Sequence, residues 1–200
     1  MEKEKIENLR QNYQSIELSE KKIAKNPIEQ FENWFNDALN ANLYEPNAMT
    51  LATTSIDRKP SARIVLLKGV DEKGFVFYTN YLSAKGKEIA KNPVVALVFF
   101  WAELARQVRI EGTVEKLSKE ASEQYFHSRP RGSQLGAIVS PQSQILASRD
   151  DLEKTWKELE QKYENKTLPK PAHWGGYLVK PQIIEFWQGR ESRLHDRIVY

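Results

Sequence analysis

The stretch Ser61–Asn80, SARIVLLKGVDEKGFVFYTN, restricts this chain more than any other. Ile64 to Leu67 form an apolar run between the cations Arg63 and Lys68, and Val70 follows. Asp71-Glu72-Lys73-Gly74 is turn chemistry. Phe75-Val76-Phe77-Tyr78-Thr79 is a second run of strong β-formers. The pattern predicts a hairpin whose first strand is buried on both faces. Side chains alternate along a strand, so Arg63 and Lys68, five apart, are expected to point to opposite faces. Two readings compete. The cations snorkel to water from the strand ends, or each meets an anion, because unpaired buried charge is strongly unfavourable. This stretch alone favours water; the rest of the chain favours anions.

Two hundred residues suit one domain with helical additions, and 40% hydrophobic content is ample for a core. The net charge of +3 does not demand a nucleic-acid partner. The absence of cysteine excludes disulfides, thiolate metal sites and a thiol nucleophile. His127, His173 and His195 are too dispersed for metal-ligand spacing, so no metal is expected. The amino terminus, MEKEKIENLRQNY, is charged, and no long apolar run follows it. Neither a signal peptide nor a membrane span is read, and a soluble cytoplasmic protein is expected.

Residues 2–13 suggest a short charged helix, part of an arm over 1–25, with only Ile6, Leu9 and Tyr13 as an apolar stripe. Asn26-Pro27-Ile28-Glu29 is a strong helix start. The helix it opens is expected to bury Ile28, Phe31, Phe35, Ala38, Leu39 and Leu43. Strands are predicted over 49–56, then the hairpin, then 94–101 and 107–115, with Val108 and Ile110 inward. Ser83 reads as the cap of a helix ended by Asn92-Pro93. Further helices are predicted over 118–127, from Ser133, and over 148–164, followed by strands over 174–179, 183–188 and 193–200. An antiparallel β core with peripheral helices, most simply a barrel that hides its edges, accounts for this order.

No Gly-x-Gly-x-x-Gly is present, and Phe75 stands where a P-loop requires lysine. Polar groups gather in four places. Ser83-Ala84-Lys85 begins a helix directly after Tyr78-Thr79, where free amides, the dipole and Lys85 suit a phosphate. An ordinary capped helix is an equal rival. Tyr125 to Ser133 crowds hydroxyls with Arg129 and Arg131 at a helix break, suiting an anionic group, against a solvated basic loop. Gln142-Ser143 is a weaker third. At the chain end, Arg193, His195 and Arg197 are expected on one strand face beside Trp187. That face suits a flat aromatic ligand bearing phosphate.

The segments RIVLLK, FVFYTN, RQVRIEG, YFHSRPRGSQLGA, PQS, WGGY, IEFWQG and RLHDR, in this order, resemble the pyridoxine (pyridoxamine) 5′-phosphate oxidase family. The resemblance spans nearly the whole chain. It implies a mainly β, α+β fold, an antiparallel FMN-binding split β-barrel over 26–200, acting as a homodimer with flavin between subunits. It also implies oxidation of pyridoxine or pyridoxamine 5′-phosphate to pyridoxal 5′-phosphate, with electrons passing through FMN to oxygen and giving hydrogen peroxide. FMN would be held by Arg63, Val65, Leu66, Lys68, Tyr78, Thr79, Lys85, Gln107, Gln142, Ser143, Trp187 and Arg197. Lys68, Tyr125, Arg129 and Ser133 would hold the substrate phosphate. Arg193 and His195 would lie over the pyridine ring in the catalytic role, with Arg10 and Tyr13 closing over the substrate.

The chain departs from the family at Ala84, where a second cation usually precedes the lysine. Weaker FMN binding, or substitution by Lys87, is expected there. The sequence ends at Tyr200, where the family continues into a further strand, so barrel closure is in question. Two rivals stand beside the oxidase reading. A flavin reductase would need no second phosphate cluster, and a non-catalytic flavin or pyridoxal-phosphate carrier would need neither Arg193 nor His195.

Overall fold

The structure, a computed structural model, describes Tyr13 and residues 17–200. The expected helix over 2–13, Tyr13 apart, and Arg10 lie outside the described residues.

Helix α1, Pro27–Asn40, starts where Asn26 accepts the Ile28 amide at 2.8 Å and proline takes the first turn. It buries Ile28, Phe31, Trp34 and Ala38. Leu39, expected inward, is 48% exposed, and Trp34 fills that face instead.

The strands are β1 Ala48–Thr54, β2 Pro60–Leu66, β3 Gly69–Asp71, β4 Gly74–Asn80, β5 Val94–Trp101, β6 Arg106–Lys116, β7 Trp174–Gln188 and β8 Asp196–Val199. They form one antiparallel sheet in the order β2-β1-β5-β6-β7-β4-β3, with β8 paired to β7. Only Leu67 and Lys68 separate β2 from β3, yet these strands lie at opposite ends of that order. The amide of Leu67 donates to Asn47 on the β1 side at 2.8 Å, and that of Lys68 to Val76 of β4, also at 2.8 Å. One bent segment, 60–71, thus joins the two ends of the curled sheet, which is a split barrel. Its inner face packs Met49, Leu51, Phe75, Phe77, Leu97, Phe99, Val108, Ile110 and Phe186 with Phe31 of α1. Each such side chain contributes about 1.5–3 kcal/mol by leaving water.

The sequence-based picture of the opening hairpin needs correction. The turn at Asp71–Gly74 and the β4 strand are as predicted, but β2 is not buried on both faces. It pairs on one side only, its exposure alternates, and Ile64 is 64% exposed. Lys68 lies in the bend rather than on the strand, so the expected opposition of Arg63 and Lys68 does not arise.

The end of the chain also differs. Residues 174–188 are one strand, because a register shift at Glu111/Gly112 lets Pro181 sit opposite Gly112 without breaking pairing. The last strand begins at Asp196, set by its register with Gln188. A short 3₁₀ turn, Glu191–Arg193, precedes it, with Ser192 and Arg193 at φ of 55° and 63°. Arg193 therefore does not share a strand face with His195 and Arg197.

Four further helices complete the fold: α2 Ala84–Lys91, α3 Lys119–Ser128, α4 Arg131–Val139 and α5 Arg149–Lys162. The side chains of Ser83, Ser118 and Ser148 cap α2, α3 and α5. Phe126 of α3, Leu135 of α4, Leu168 of the connection after α5 and Trp174 of β7 form a second small core, against which Trp156 and Leu159 of α5 pack. None of the helices among the described residues is long and apolar enough to cross a membrane.

Candidate active site

The bend at Lys68, the end of β4, the start of α2 and the α3–α4 break converge on one cavity of about 470 Å³. Val65, Leu66, Lys68, Tyr78, Thr79, Lys85 and Gln142 line it, and so do Tyr125, Arg129 and Ser133. The structure thus brings together most of the residues that the sequence divided between a cofactor set and a substrate-phosphate set. Asn80, Ser140 and Trp174 also line it. Three cations face this space, and no carboxylate is among its lining residues.

Lys85 stands in the first turn of α2 and is 7% exposed. Its Nζ donates to Thr79 Oγ1 at 3.3 Å and to Gln142 Oε1 at 3.4 Å. Thr79 Oγ1 donates to the same Gln142 oxygen at 3.2 Å. These bonds tie the 140–148 loop to β4. Burial lowers the Lys85 pKa, the nearby Arg63 charge lowers it further, and Glu88 partly restores it. An anion placed here would relieve that strain on the charged form.

Arg63 does not line the cavity. Its terminal nitrogens reach Leu51 O at 3.2 Å, Thr53 Oγ1 at 2.5 Å, Ser61 Oγ at 2.7 Å and Glu88 Oε2 at 3.2 Å. Thr53 and Ser61 in turn donate to Glu88 at 2.5 and 2.9 Å. Burial would raise the Glu88 pKa, but these hydroxyls and the guanidinium outweigh it and hold the carboxyl below its ordinary value. Glu88 was not singled out in the sequence. Its one signal was an acid three residues beyond Lys85 on the same helix, which puts both on one face.

The other wall is aromatic. Tyr78 stacks on Tyr125 with ring centroids 3.8 Å apart and on Trp174 at 5.4 Å. Burial raises the pKa of both tyrosines, so they act as neutral hydroxyls. The Arg129 guanidinium lies 4.7 Å over the Trp174 ring, and its NH1 is buried without a hydrogen-bond partner. Burial lowers its pKa, yet an arginine remains cationic.

Gln107, Ser143, Trp187, Arg193, His195 and Arg197 lie outside this cavity. Gln107, Trp187 and Arg197 stand directly opposite one another on β6, β7 and β8, forming a row across one face of the sheet. Arg197 lies 3.6 Å from Glu185, which also meets Arg109 at 3.3 Å. Tyr13, Trp187 and His195 form a ring cluster, with Trp187 and His195 4.7 Å apart and Tyr13 edge-on to both at 5.9 and 5.7 Å. The Arg190 amide donates to His195 Nδ1 at 3.0 Å, so the neutral imidazole carries its proton on Nε2. Ser143 is exposed with φ of 66°.

Residues 35–163 match the family model described as pyridoxamine 5′-phosphate oxidase. Residues 174–200 match that of the pyridoxine 5′-phosphate oxidase C-terminal dimerisation region. The chain is 60% identical over 195 residues to the pyridoxine/pyridoxamine 5′-phosphate oxidase of Acaryochloris marina, covering 98% of this chain and 89% of that one. To the protein of the same name from Salinibacter ruber it is 56% identical over 197 residues, covering 98% and 92%. Among solved structures, PhzG from Burkholderia lata in complex with tetrahydrophenazine-1-carboxylic acid superimposes with a TM-score of 0.87 at 28% identity, covering 93% and 92%. A pyridoxamine 5′-phosphate oxidase-related, FMN-binding protein from Nostoc punctiforme shares the fold, with a TM-score of 0.67 at 18% identity and coverage of 90% and 91%. With a family model across residues 35–163 and relatives near 60% identity along nearly its whole length, the chain belongs to the pyridoxamine 5′-phosphate oxidase family.

Proposed function

We propose that this chain oxidises pyridoxine or pyridoxamine 5′-phosphate to pyridoxal 5′-phosphate, using FMN and oxygen. The observation that carries the reading is the cavity's charge: three cations without a carboxylate, one of them Arg129 with a buried, unpartnered NH1. A guanidinium nitrogen out of water with no acceptor is unfavourable, and a phosphate ester supplies the acceptor and the counter-charge.

The residues fit FMN on the same ground. Lys85, the first amides of α2, Thr79 and Gln142 offer donors to a flavin phosphate, while the unpaired edge of β2 at Val65 and Leu66 offers backbone groups to the ring. FMN supplies the two-electron chemistry, with reoxidation by oxygen giving hydrogen peroxide. The protein binds and orients. Lys68, Tyr125, Arg129 and Ser133 hold the substrate phosphate, and the stacked aromatic wall excludes water beside it. Arg193 and His195 position the pyridine ring, and Tyr13 packs over His195 and Trp187. Pre-set geometry of this kind supplies much of the rate enhancement wherever a reaction depends on the orientation of a bound substrate. The Gln107–Trp187–Arg197 row lies apart from the cavity within one chain. In our reading it meets the cavity of a second copy in a homodimer, consistent with the match of 174–200 to a dimerisation region.

The test is aerobic turnover of FMN-loaded protein with each substrate, following the aldehyde product and peroxide together. We expect equal yields of both from pyridoxine 5′-phosphate and none from unphosphorylated pyridoxine at the same concentration. Flavin reduction only by a nicotinamide, with no aldehyde, would overturn the reading in favour of a reductase.

A further inference from the structure

Trp174, the first residue of β7, lines the cavity and carries the Arg129 guanidinium on its face at 4.7 Å. The indole is 6% exposed and fixed from several sides. Tyr78 and Tyr125 lie nearly parallel to it, at 15° and 6°, and Phe126 meets it at 66° with centroids 5.5 Å apart. Its backbone is tied as well: its amide donates to Pro171 O at 3.1 Å, and Lys170 Nζ donates to its carbonyl at 3.2 Å. Arg129 sits between α3 and Pro130 in extended backbone, which fixes where its side chain starts but not where it ends. The indole face is what the guanidinium rests on. An aromatic face attracts a cation more strongly when both are out of water. Unlike a carboxylate, it leaves the positive charge uncompensated for a ligand.

We propose that Trp174 is the positioning residue for Arg129: its indole face orients the guanidinium into the cavity and thereby sets the affinity for the substrate's phosphate. The proposal rests on reading the cavity as a phosphate-ester site.

The experiment measures KM and kcat for pyridoxine 5′-phosphate, and the inhibition constant of inorganic phosphate, in FMN-loaded protein. The variants are Trp174→Phe, Trp174→Leu, Arg129→Met and the two double substitutions. Trp174→Leu is expected to raise KM and the phosphate inhibition constant by about tenfold, and Trp174→Phe by about two- to threefold. The loss should fall mainly on KM. In the Arg129→Met background both tryptophan changes should shift the phosphate constant less than about twofold, because the coupling runs through Arg129. Should Trp174→Leu fail to fold, Trp174→Phe decides by the same comparison. Equal factors with and without Arg129, or unchanged phosphate inhibition in the tryptophan variants, would overturn the positioning role. If instead phosphate does not inhibit the wild type and Arg129→Met leaves KM unaltered, the phosphate reading falls and the proposal with it.

Discussion

Glu88 shows how one side chain links the sheet to the helix that carries Lys85. Its carboxylate terminates a directed set of bonds that starts at Arg63 and passes through the hydroxyls of Thr53 and Ser61. Because its folded-state pKa is depressed, the unfolded chain takes up the proton first as pH falls. The stabilisation is complete above the ordinary glutamate value of about 4.3 and disappears as pH drops through the lower folded value. Melting curves between about pH 2 and 6 should show this acid limb in the wild type and a flatter one in Glu88→Gln; identical limbs would remove Glu88 from the account. At the cofactor end, Lys85→Ala should weaken FMN binding by about tenfold or more while barely affecting riboflavin, as expected for a charge-assisted contact with phosphate. Equal losses for the two flavins in titrations of apoprotein would contradict that assignment. Arg193→Met is expected to lower kcat/KM for pyridoxine 5′-phosphate strongly while leaving FMN affinity nearly unchanged, and steady-state assays with parallel flavin titration would reveal the reverse pattern if the assignment is wrong. The sequence singles out Lys85, Arg193 and Arg63 by type, but neither Glu88 nor the acceptors of the Arg63 guanidinium. Its partners Thr53 and Glu88 come from β1 and α2, and only the fold brings them to β2.

Helix α2 presents Lys85 to the cavity because it can pack closely on the turn at Tyr81 that leads into it from β4. A Cβ at Gly86 would meet the Tyr81 carbonyl oxygen at 2.3 Å, and neither backbone can give way cheaply. Gly86→Ala should therefore destabilise the protein by about 1–3 kcal/mol and weaken FMN binding as well; a melting temperature and affinity equal to wild type would show that α2 is free to move. The start of this helix was readable in advance, as were those of α1, α3 and α5. A cap is local chemistry: Asn26, Ser83, Ser118 and Ser148 each accept an amide within their own segment. The strands were harder where their surroundings are not local. The apolar run 64–67 reads the same whether sheet neighbours or another surface covers it, so the sequence alone does not tell the exposed Ile64 from a core residue. The strand 174–188 runs on past Pro181 because Gln182 is the extra residue of a bulge in β7, and the step it faces, Glu111/Gly112 of β6, is almost seventy residues away in the chain. The left-handed Ser192 and Arg193 carry no glycine or asparagine to announce them.

Taken whole, the molecule keeps most of its described candidate residues in two groups: a cation-rich cavity, and an outward row on β6, β7 and β8 with the ring cluster beside it. Residues exposed on the sheet and its edges include Ile64, Phe100 and Val199, at 64%, 57% and 57%. Apolar exposure of this kind near a region matched as a dimerisation region supports association through that face. If FMN lies between two copies, it should strengthen their association by linkage. Sedimentation of apoprotein and FMN-loaded protein at matched concentrations should show a larger dimer fraction with flavin, and a fully active FMN-loaded monomer would contradict the shared site. The central claim, that the cavity serves oxidation of a phosphorylated pyridine by FMN, is tested most directly without oxygen. FMN-loaded protein is titrated anaerobically with pyridoxine 5′-phosphate while the visible flavin absorbance is followed. The account predicts bleaching that ends at one equivalent of substrate per flavin, with a matching amount of pyridoxal 5′-phosphate and no bleaching by pyridoxine at that concentration. A flavin that stays oxidised in the presence of excess pyridoxine or pyridoxamine 5′-phosphate would contradict it.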